Sequence, residues 1–200
     1  MPTQDRGRAR VEAILDAAEI AFAETGYDNA TTEAIAQRAG ASIGSLYQFF
    51  PNKRALFEAV STRYLGRVRE HFEGTLTAAL PDMPWEDVLD MSIDASWAMA
   101  SSSPAFSAIW LQGRVTKQLL DAGYALNRLF ADRTEQVLLR YAPTMPKKRR
   151  ALLATMIVET VSGMLFAAVR MIPASTSQEI IVETKRMLRA YVRDVIATST

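Results

Sequence analysis

The chain of 200 residues carries 23 basic and 22 acidic side chains and is 49% hydrophobic, which is typical of one or two globular domains rather than of a disordered or fibrous protein. Its formal net charge of +1 provides no overall basic field for nucleic acid or membrane. With no cysteine and a single histidine, the sequence excludes disulfides, zinc fingers, thiolate nucleophiles and sites that need two imidazoles.

The first part of the chain predicts a series of amphipathic helices. Over residues 8–25, apolar side chains recur every three or four positions, and Gly26 follows where a left-handed C-terminal residue belongs. A second, short helix is expected to end at Gly40. A third begins after Ser42 as its N-cap and ends before Pro51, where a long fourth helix follows.

The rest of the chain predicts longer and more apolar helices. They are expected at about residues 84–101, 104–113, 116–141, 147–172 and 178–197. No alternating run of strand length is present. The fold class is therefore predicted to be all-α, with an N-terminal three-helix helix-turn-helix domain over 1–54 and a C-terminal helical ligand-binding and dimerisation bundle over 55–200.

The segment 151–169 is apolar enough to imitate a membrane span, because its nineteen residues include a single charge, Glu159, and follow four basic residues. A carboxylate near the centre of a span costs about 2.5–3.5 kcal/mol, however. A helix that is apolar on all sides is equally typical of a protein core. We expect a cytoplasmic protein without a membrane partner, and a membrane-anchored adaptor is the alternative.

The second and third predicted helices form a helix-turn-helix pattern, joined by residues 39–42. Leu46 and Phe50 keep one side of the third helix apolar for docking. The other side presents groups suited to DNA, namely Ser42, Gly44, Ser45, Tyr47 and Gln48. A glycine permits close backbone approach, a tyrosine hydroxyl contacts phosphate, and a glutamine pairs with the edge of adenine.

These residues resemble the TetR family of transcriptional repressors. The resemblance lies in FAETGY at 22–27, TTEAIA at 31–36 and AGASIGSLYQFFPNK at 39–53, and it extends over about residues 10–58. It implies a homodimer that binds a palindromic operator in double-stranded DNA and is released by a small-molecule effector. It implies neither catalysis nor a cofactor.

The resemblance also implies roles for individual residues. The phosphate contacts of the family correspond here to Thr32, Ser42, Tyr47 and Lys53, and its groove-facing positions to Ile43, Gly44, Ser45 and Gln48. Ile43 stands where relatives often have a basic residue, and Phe49 where histidine or tyrosine is frequent. Residues 1–54 hold six basic and seven acidic side chains, so DNA binding must depend on geometry, with Arg38 and Lys53 flanking the third helix and Arg6–Arg10 as an arm.

The C-terminal half predicts a ligand cavity but no catalytic or metal site. Large, adaptable side chains there suit a hydrophobic or aromatic effector, and they are Trp97, Phe106, Trp110, Tyr124 and Met164. Glu159 completes this predicted set as a buried carboxylate, with Asn127, Arg170 or a polar group of the ligand as its partner. The alternative function is a helical small-molecule-binding protein or enzyme with a cleft near Trp97, Trp110 and Glu159.

Two further patterns remain open at this point. Glu86, Asp90 and Asp94 are spaced by four residues, which suits either a cation site or, more often, a solvated helix edge. The last two helices are predicted to form the dimer interface because they mix small and apolar side chains. The residues concerned are Met156, Ser162, Gly163 and Ala167 on one helix and Ile180, Thr184, Met187, Leu188 and Tyr191 on the next.

Overall fold

The computed structural model describes residues 2–78, 82–106, 109, 117–170 and 174–198. Within these ranges all regular structure is helical, which confirms the predicted fold class. The helices are α1 (Pro2–Asn29), α2 (Thr32–Arg38), α3 (Ile43–Phe49), α4 (Lys53–Ala78), α5 (Trp85–Ser102), α6 (Pro104–Phe106), α7 (Lys117–Tyr141), α8 (Lys147–Arg170) and α9 (Ala174–Ala197).

The chain divides into two compact units. Unit 1 comprises Met1–Gly66 and Ser103–Leu119, and unit 2 comprises Arg67–Ser102 and Leu120–Thr200. Unit 1 thus continues beyond the predicted domain boundary at residue 54, because the first turns of α4 pack into its core. The domains 1–54 and 55–200 therefore stay a prediction based on the sequence pattern.

The core of unit 1 is built from the apolar stripes of its first four helices. Ile14, Phe22, Ile35, Leu46 and Leu56 are all fully buried, and burying side chains of this size stabilises a fold by about 1.5–3 kcal/mol each. Their spacing along the chain is the periodicity that predicted the helices.

An aromatic cluster joins the end of α1 to α4. The ring of Phe57 meets those of Phe22 and Tyr27 edge-on, with centroids 5.3 and 5.1 Å apart, and Phe22 and Tyr27 stack at 5.8 Å. Such pairs contribute about 0.5–1.5 kcal/mol beyond the burial of their area. This cluster fixes the start of α4 within unit 1.

Two glycines have a positive φ, which the sequence pattern predicted for Gly26. Gly26, with φ of 82° and ψ of 162°, interrupts α1 by a kink. Gly40, with φ of 62°, ends α2. The amides of Gly40 and Ala41 donate to the carbonyls of Gln37 (3.1 Å) and Ala36 (2.9 Å), which is the Schellman pattern of helix termination. This turn ends α2 and leads the chain into α3.

Unit 2 packs α5, α8 and α9 around a shared apolar core, to which Ile93, Leu153, Ile181 and Val192 contribute fully buried side chains. α7 joins through Phe130, which stacks on Phe72 of α4 with centroids 3.9 Å apart.

Ion pairs link α5 to α9 along one flank of unit 2. Glu86 pairs with Arg193 (3.4 Å), Asp90 accepts from Arg189 Nε (2.8 Å), and Asp94 pairs with Lys185. The cations are also spaced by four residues, in antiparallel order. Each of the three carboxylates is therefore paired with a cation of α9, and Asp94 remains exposed. Among the described residues, no group of His, Asp or Glu is arranged to hold a metal.

Helix α8 is apolar in sequence yet buries one face only. By length and composition it is the single described helix that could cross a membrane, and 28% of its most apolar window is buried. Leu153, Ala154, Ile157 and Val158 face the core, whereas Leu152 is 60% exposed. One such helix is weak evidence for a span, because helices of soluble proteins pass the same test.

Candidate nucleic-acid interface

Each of the three helices around the helix-turn-helix begins with a side-chain cap. Thr31 accepts from the amide of Ala34 (3.2 Å), Ser42 from that of Ser45 (3.1 Å), and Asn52 from that of Ala55 (2.9 Å). Such caps satisfy amides that a helix leaves unpaired and each stabilise it by about 0.5–2 kcal/mol. The lengths of α2 and α3 are thus set by local sequence at Thr31, Gly40, Ser42 and Asn52.

Helix α3 is docked on one side and open on the other. Leu46 is fully buried, whereas Ile43, Gly44, Tyr47 and Gln48 are exposed. On a helix of 3.6 residues per turn these four positions share one face. Unit 1 therefore presents the predicted groove-facing residues together, with one exception.

That exception is Ser45, which the sequence assigned to the groove face. Its side chain is buried, and its Oγ lies 3.5 Å from Nη1 of Arg10 on α1. Two positions beyond Ile43, the helix has turned by about 200°, so Ser45 points towards the docked side. Arg10, predicted to belong to a flexible arm, lies within helix α1.

Thr32 and Tyr47, both predicted phosphate contacts, are joined to each other. The phenolic oxygen of Tyr47 lies 3.0 Å from Thr32 Oγ1, which in turn donates to Glu33 Oε2 at 3.3 Å. Thr32 is buried and Tyr47 is 44% exposed. Since the hydroxyl of Thr32 gives its proton to Glu33, the Tyr47 hydroxyl donates to Thr32 in this arrangement.

Lys53 is held in place by the end of α1. Its Nζ donates to the carbonyls of Asp28 (3.0 Å) and Ala30 (2.9 Å) and lies 4.8 Å from the ring centroid of Tyr27. An ammonium group has three N–H donors, so two of them are used within unit 1. Lys53 is thus a structural clamp as well as a predicted phosphate contact.

Arg38 pairs with a carboxylate on the protein surface. Its Nη2 lies 2.6 Å from Glu24 Oε2, and both side chains are substantially exposed. The hydrogen bond from Arg38 holds the pKa of Glu24 below its usual value, and the same bond raises the pKa of Arg38. A phosphate at this position has to compete with Glu24 for the guanidinium.

Arg63 organises an acidic stripe that the sequence analysis did not single out. It contacts Glu12 (3.0 Å), Asp16 (2.8 Å) and Glu19 (2.9 Å), which lie on one face of α1. Burial alone lowers the pKa of Arg63, but the hydrogen bonds to these three carboxylates outweigh it, so the pKa is raised. The spacing of the three acids along one face of α1 could have indicated a shared cation. That cation, Arg63, lies 44 to 51 residues later in the chain.

The residues predicted to line a ligand cavity are distributed between the units. Phe106 is buried in unit 1, where it meets Tyr64 edge-on at 6.2 Å, and Trp97 is half-buried against the core of unit 2. Tyr124 is 59% and Met164 37% exposed. Trp110 lies outside the described residues.

Glu159 corrects one premise of the cavity prediction, because its side chain is exposed rather than buried. It accepts a hydrogen bond from Asn127 Nδ2 at 3.2 Å, and Ser162 Oγ lies 3.4 Å from Asn127 Oδ1. The apolar sequence of α8 gave no sign of which side faces the core, and Glu159 lies on the outer side.

The predicted dimer residues separate into buried and accessible sets. Thr184 and Leu188, each 3% exposed, belong to the core of unit 2 and are not available to a partner. Met187 is 49% and Tyr191 39% exposed. Gly163 is also exposed, while Ser162, Ala167 and Ile180 are half-buried.

The exposed residues continue onto α8 through Met156 and Gly163, which were predicted, and Leu152, which was not. Leu152 and Met156 are exposed one turn apart, and Glu159 and Gly163 follow on the same face. Tyr191 Oη lies 3.4 Å from Met156 Sδ, so the outer faces of α8 and α9 adjoin. We call Leu152, Met156, Gly163, Met187 and Tyr191 the α8–α9 face.

Comparison with known proteins identifies the architecture. The family model of bacterial regulatory proteins of the tetR family matches residues 14–60, and that of the tetracyclin repressor-like C-terminal domain matches residues 84–191. The chain belongs to the TetR family. Members of this family are DNA-binding regulators, so the chain is a transcriptional regulator and the enzyme alternative is wrong.

Individual relatives agree with this assignment. A TetR-family transcriptional regulator from Streptomyces coelicolor is 33% identical, with a TM-score of 0.63 over 93% of this chain and 99% of that one. The tetracycline repressor protein class D of Escherichia coli is 39% identical over 72 residues, 36% of this chain and 32% of that protein. The chain spans about a third of the length of the first curated relatives it matches.

A regulator from Mesorhizobium loti described as a TetR-family protein has a TM-score of 0.74 at 21% identity, over 94% of this chain and 97% of that one. At this level of identity the similarity supports the fold alone.

Proposed function

We propose that this TetR-family regulator is a cytoplasmic repressor, which binds a palindromic operator as a homodimer and is released by a small hydrophobic effector. The observation that carries the proposal is the exposed face of α3, formed by Ile43, Gly44, Tyr47 and Gln48 opposite the buried Leu46. A helix held by one apolar side and open on the other is what the major groove accommodates.

Phosphate contacts are assigned to the groups around this face. Thr32 and Tyr47 form one hydroxyl pair beside α3, and Lys53 brings a positively charged group whose position is fixed by the carbonyls of Asp28 and Ala30. A fixed cation loses little conformational entropy when it meets a phosphate. Ser42 and Arg38 complete the proposed set, with Arg38 exchanging Glu24 for DNA.

The test of DNA binding uses the full-length chain and a library of random-sequence duplexes. We expect selection to enrich a palindrome whose half-site centres are about 34–36 Å apart, one turn of B-DNA. Gln48→Ala is expected to lose discrimination at one base pair by about 1–3 kcal/mol while keeping affinity for bulk DNA. If no duplex is enriched over bulk DNA at moderate salt, the chain is not an operator-binding protein.

The partner proposed for the α8–α9 face is a second copy of the chain. Leu152, Met156, Met187 and Tyr191 expose apolar surface on adjoining helices, and such surface is usually covered. At Gly163, an added methyl group meets no atom of the described residues within 4 Å. Glycine weakens a helix relative to alanine by about 0.5–1 kcal/mol, so close approach of a partner helix accounts for it.

The effector is proposed to bind in the C-terminal domain near Trp97. Helix α4 contributes its first turns to unit 1 and its last turns to unit 2, and a change in its tilt is the proposed route of the signal. Coupling of about 1–3 kcal/mol lowers operator affinity by roughly 5- to 150-fold, and operator DNA must weaken effector binding by the same factor.

This proposal is tested by a compound screen on tryptophan fluorescence, followed by operator titration of each compound that quenches it. We expect at least one such compound to lower operator affinity at saturation. Compounds that quench Trp97 while leaving operator affinity unchanged favour the alternative of a binding module without a switch. Trp97→Phe is the matched control, because it retains apolar volume and removes the contribution of Trp97, leaving the fluorescence of Trp85 and Trp110.

A further inference from the structure

The exposed face of α3 is uncharged. Within α3 there is no acidic residue in the first turn and no basic residue in the last, and its seven residues are Ile, Gly, Ser, Leu, Tyr, Gln and Phe. Guanine is most often recognised in the major groove by arginine or lysine, which donate to its O6 and N7. This helix carries neither cation at any position.

Ile43 places an exposed apolar side chain on the face of α3 that is proposed to enter the groove. It follows the N-cap Ser42, is 38% exposed, and lies one turn before Tyr47 on the same face. An isoleucine side chain makes no hydrogen bonds to water, and burying its apolar surface is favourable. The principal apolar group that the major groove offers is the C5-methyl of thymine. The chemistry of Ile43 therefore favours an A·T base pair at its position.

Gly44 leaves space beside Ile43 and in front of Gln48. Its backbone is helical, and a methyl group added there meets no atom of the described residues within 4 Å. Neither backbone conformation nor packing in unit 1 requires glycine at this position, although glycine weakens a helix. Close approach of DNA is the remaining physical reason for it, and it lets the amide of Gln48 reach a base edge.

We propose that α3 recognises A·T base pairs at the centre of each half-site, with Ile43 packed on the methyl group of a thymine and Gln48 paired with the N6 and N7 of an adenine. This inference rests on the proposed function, since it names the class of operator that the same face binds. Ile43 is then a specificity-determining residue that acts without a hydrogen bond.

The experiment replaces thymine by deoxyuridine, which removes the C5-methyl group alone. Duplexes selected from the random library are resynthesised with deoxyuridine at one thymine at a time. At one thymine in each half-site we expect the affinity of the parent protein to fall about four-fold, the equivalent of about 0.8 kcal/mol for one buried methyl group. Ile43→Ala is expected to bind both duplexes equally.

Phe49→Ala is the matched control, because Phe49 is an apolar side chain of α3 that is 40% exposed and lies away from the face of Ile43. It should keep the four-fold response to deoxyuridine. Gly44→Ala should raise the melting temperature of the free protein and lower its affinity for the selected duplex. Thermal melts of all three variants establish that they fold.

The outcomes separate the two proposals. Failure to enrich any duplex overturns operator binding itself. An enriched palindrome whose half-sites show guanine or cytosine at the positions that respond to Ile43→Ala or Gln48→Ala overturns the A·T inference and leaves operator binding intact. The A·T inference is also overturned, with operator binding left intact, if the Ile43→Ala variant still responds to deoxyuridine or if the Phe49→Ala variant no longer does.

Discussion

The phenolic oxygen of Tyr47 lies 3.0 Å from the hydroxyl of Thr32, and the two residues belong to successive helices, α3 and α2. The helix-turn-helix is therefore closed by a side-chain hydrogen bond in addition to the backbone turn at Gly40. In the free protein this bond satisfies the tyrosine hydroxyl. For the proposed phosphate contact, the proton of that hydroxyl has to turn from Thr32 to a phosphate oxygen.

Tyr47→Phe is expected to weaken binding to the selected duplex and to random duplexes by the same factor, since phosphate carries no sequence information. One hydrogen bond contributes about 0.5–1.5 kcal/mol, equivalent to a loss of roughly 2- to 12-fold in affinity. Fluorescence anisotropy on both duplexes measures it. Tyr124→Phe, an equally small change at an exposed tyrosine of unit 2, should alter neither, and a loss confined to the selected duplex would move Tyr47 to base recognition.

Lys53→Met tests the clamp at the start of α4. Because hydrogen bonds from a charged donor contribute about 1.5–3 kcal/mol, the free energy of unfolding should fall by about this amount, and the slope of log affinity against log salt should fall by about one. Urea denaturation and a salt titration measure the two effects. Arg54→Met removes only the pair between Arg54 and Glu58 on one exposed helix face, so its cost should be below about 0.5 kcal/mol. Unchanged stability in Lys53→Met would contradict the clamp.

Met187→Arg tests the α8–α9 face. An arginine here brings two unpaired like charges together across a symmetric interface, so we expect monomers. Sedimentation velocity measures the state of association. Val182→Arg introduces the same charge at a 52% exposed position on another side of α9 and should leave the dimer intact. Leu188→Arg places the charge in the core of unit 2 and should unfold it, so it is no test of association.

Glu24 predicts a defined dependence of stability on pH. Arg38 lowers the pKa of Glu24 in the folded chain, so the unfolded chain binds a proton more readily at this residue. The stabilisation is therefore fully present above the unfolded pKa of about 4.5 and is lost as the pH falls through the lower, folded pKa. Carboxyl NMR titration should show a midpoint for Glu24 below 4.5 in the parent and a higher one in Arg38→Ala. Equal midpoints would mean that the pair does not form in solution.

The helix ends of unit 1 could be predicted from the sequence because local chemistry determines them. Ser42 and Asn52 cap their helices through contacts within three residues, and Gly40 adopts a positive φ, which glycine tolerates better than other residues do. The same holds for the exposed face of α3, whose phase follows from the buried Leu46. Ser45 was expected on the exposed side of α3, but its angle on the helix places it on the buried side.

The surfaces of unit 2 could not be predicted, because they depend on contacts distant in sequence. Met187 and Leu188 are adjacent apolar residues, and only the packing of α9 against α5 and α8 decides that Leu188 is buried and Met187 is not. Helix α8 has no polar face from which its buried side could be predicted. The exposure of Glu159 therefore could not be predicted from the sequence pattern. Asp90 finds its partner Arg189 across 99 residues.

The ion pairs between α5 and α9 have a consequence for how the register of these helices is chosen. Acids and bases both repeat every four residues, so a slide of α9 by one turn, about 6 Å, re-forms two of the three pairs. Charge alone thus discriminates poorly between neighbouring registers. That choice falls to the apolar side chains Ile181, Leu188 and Val192, whose fit to the core is lost when they are displaced.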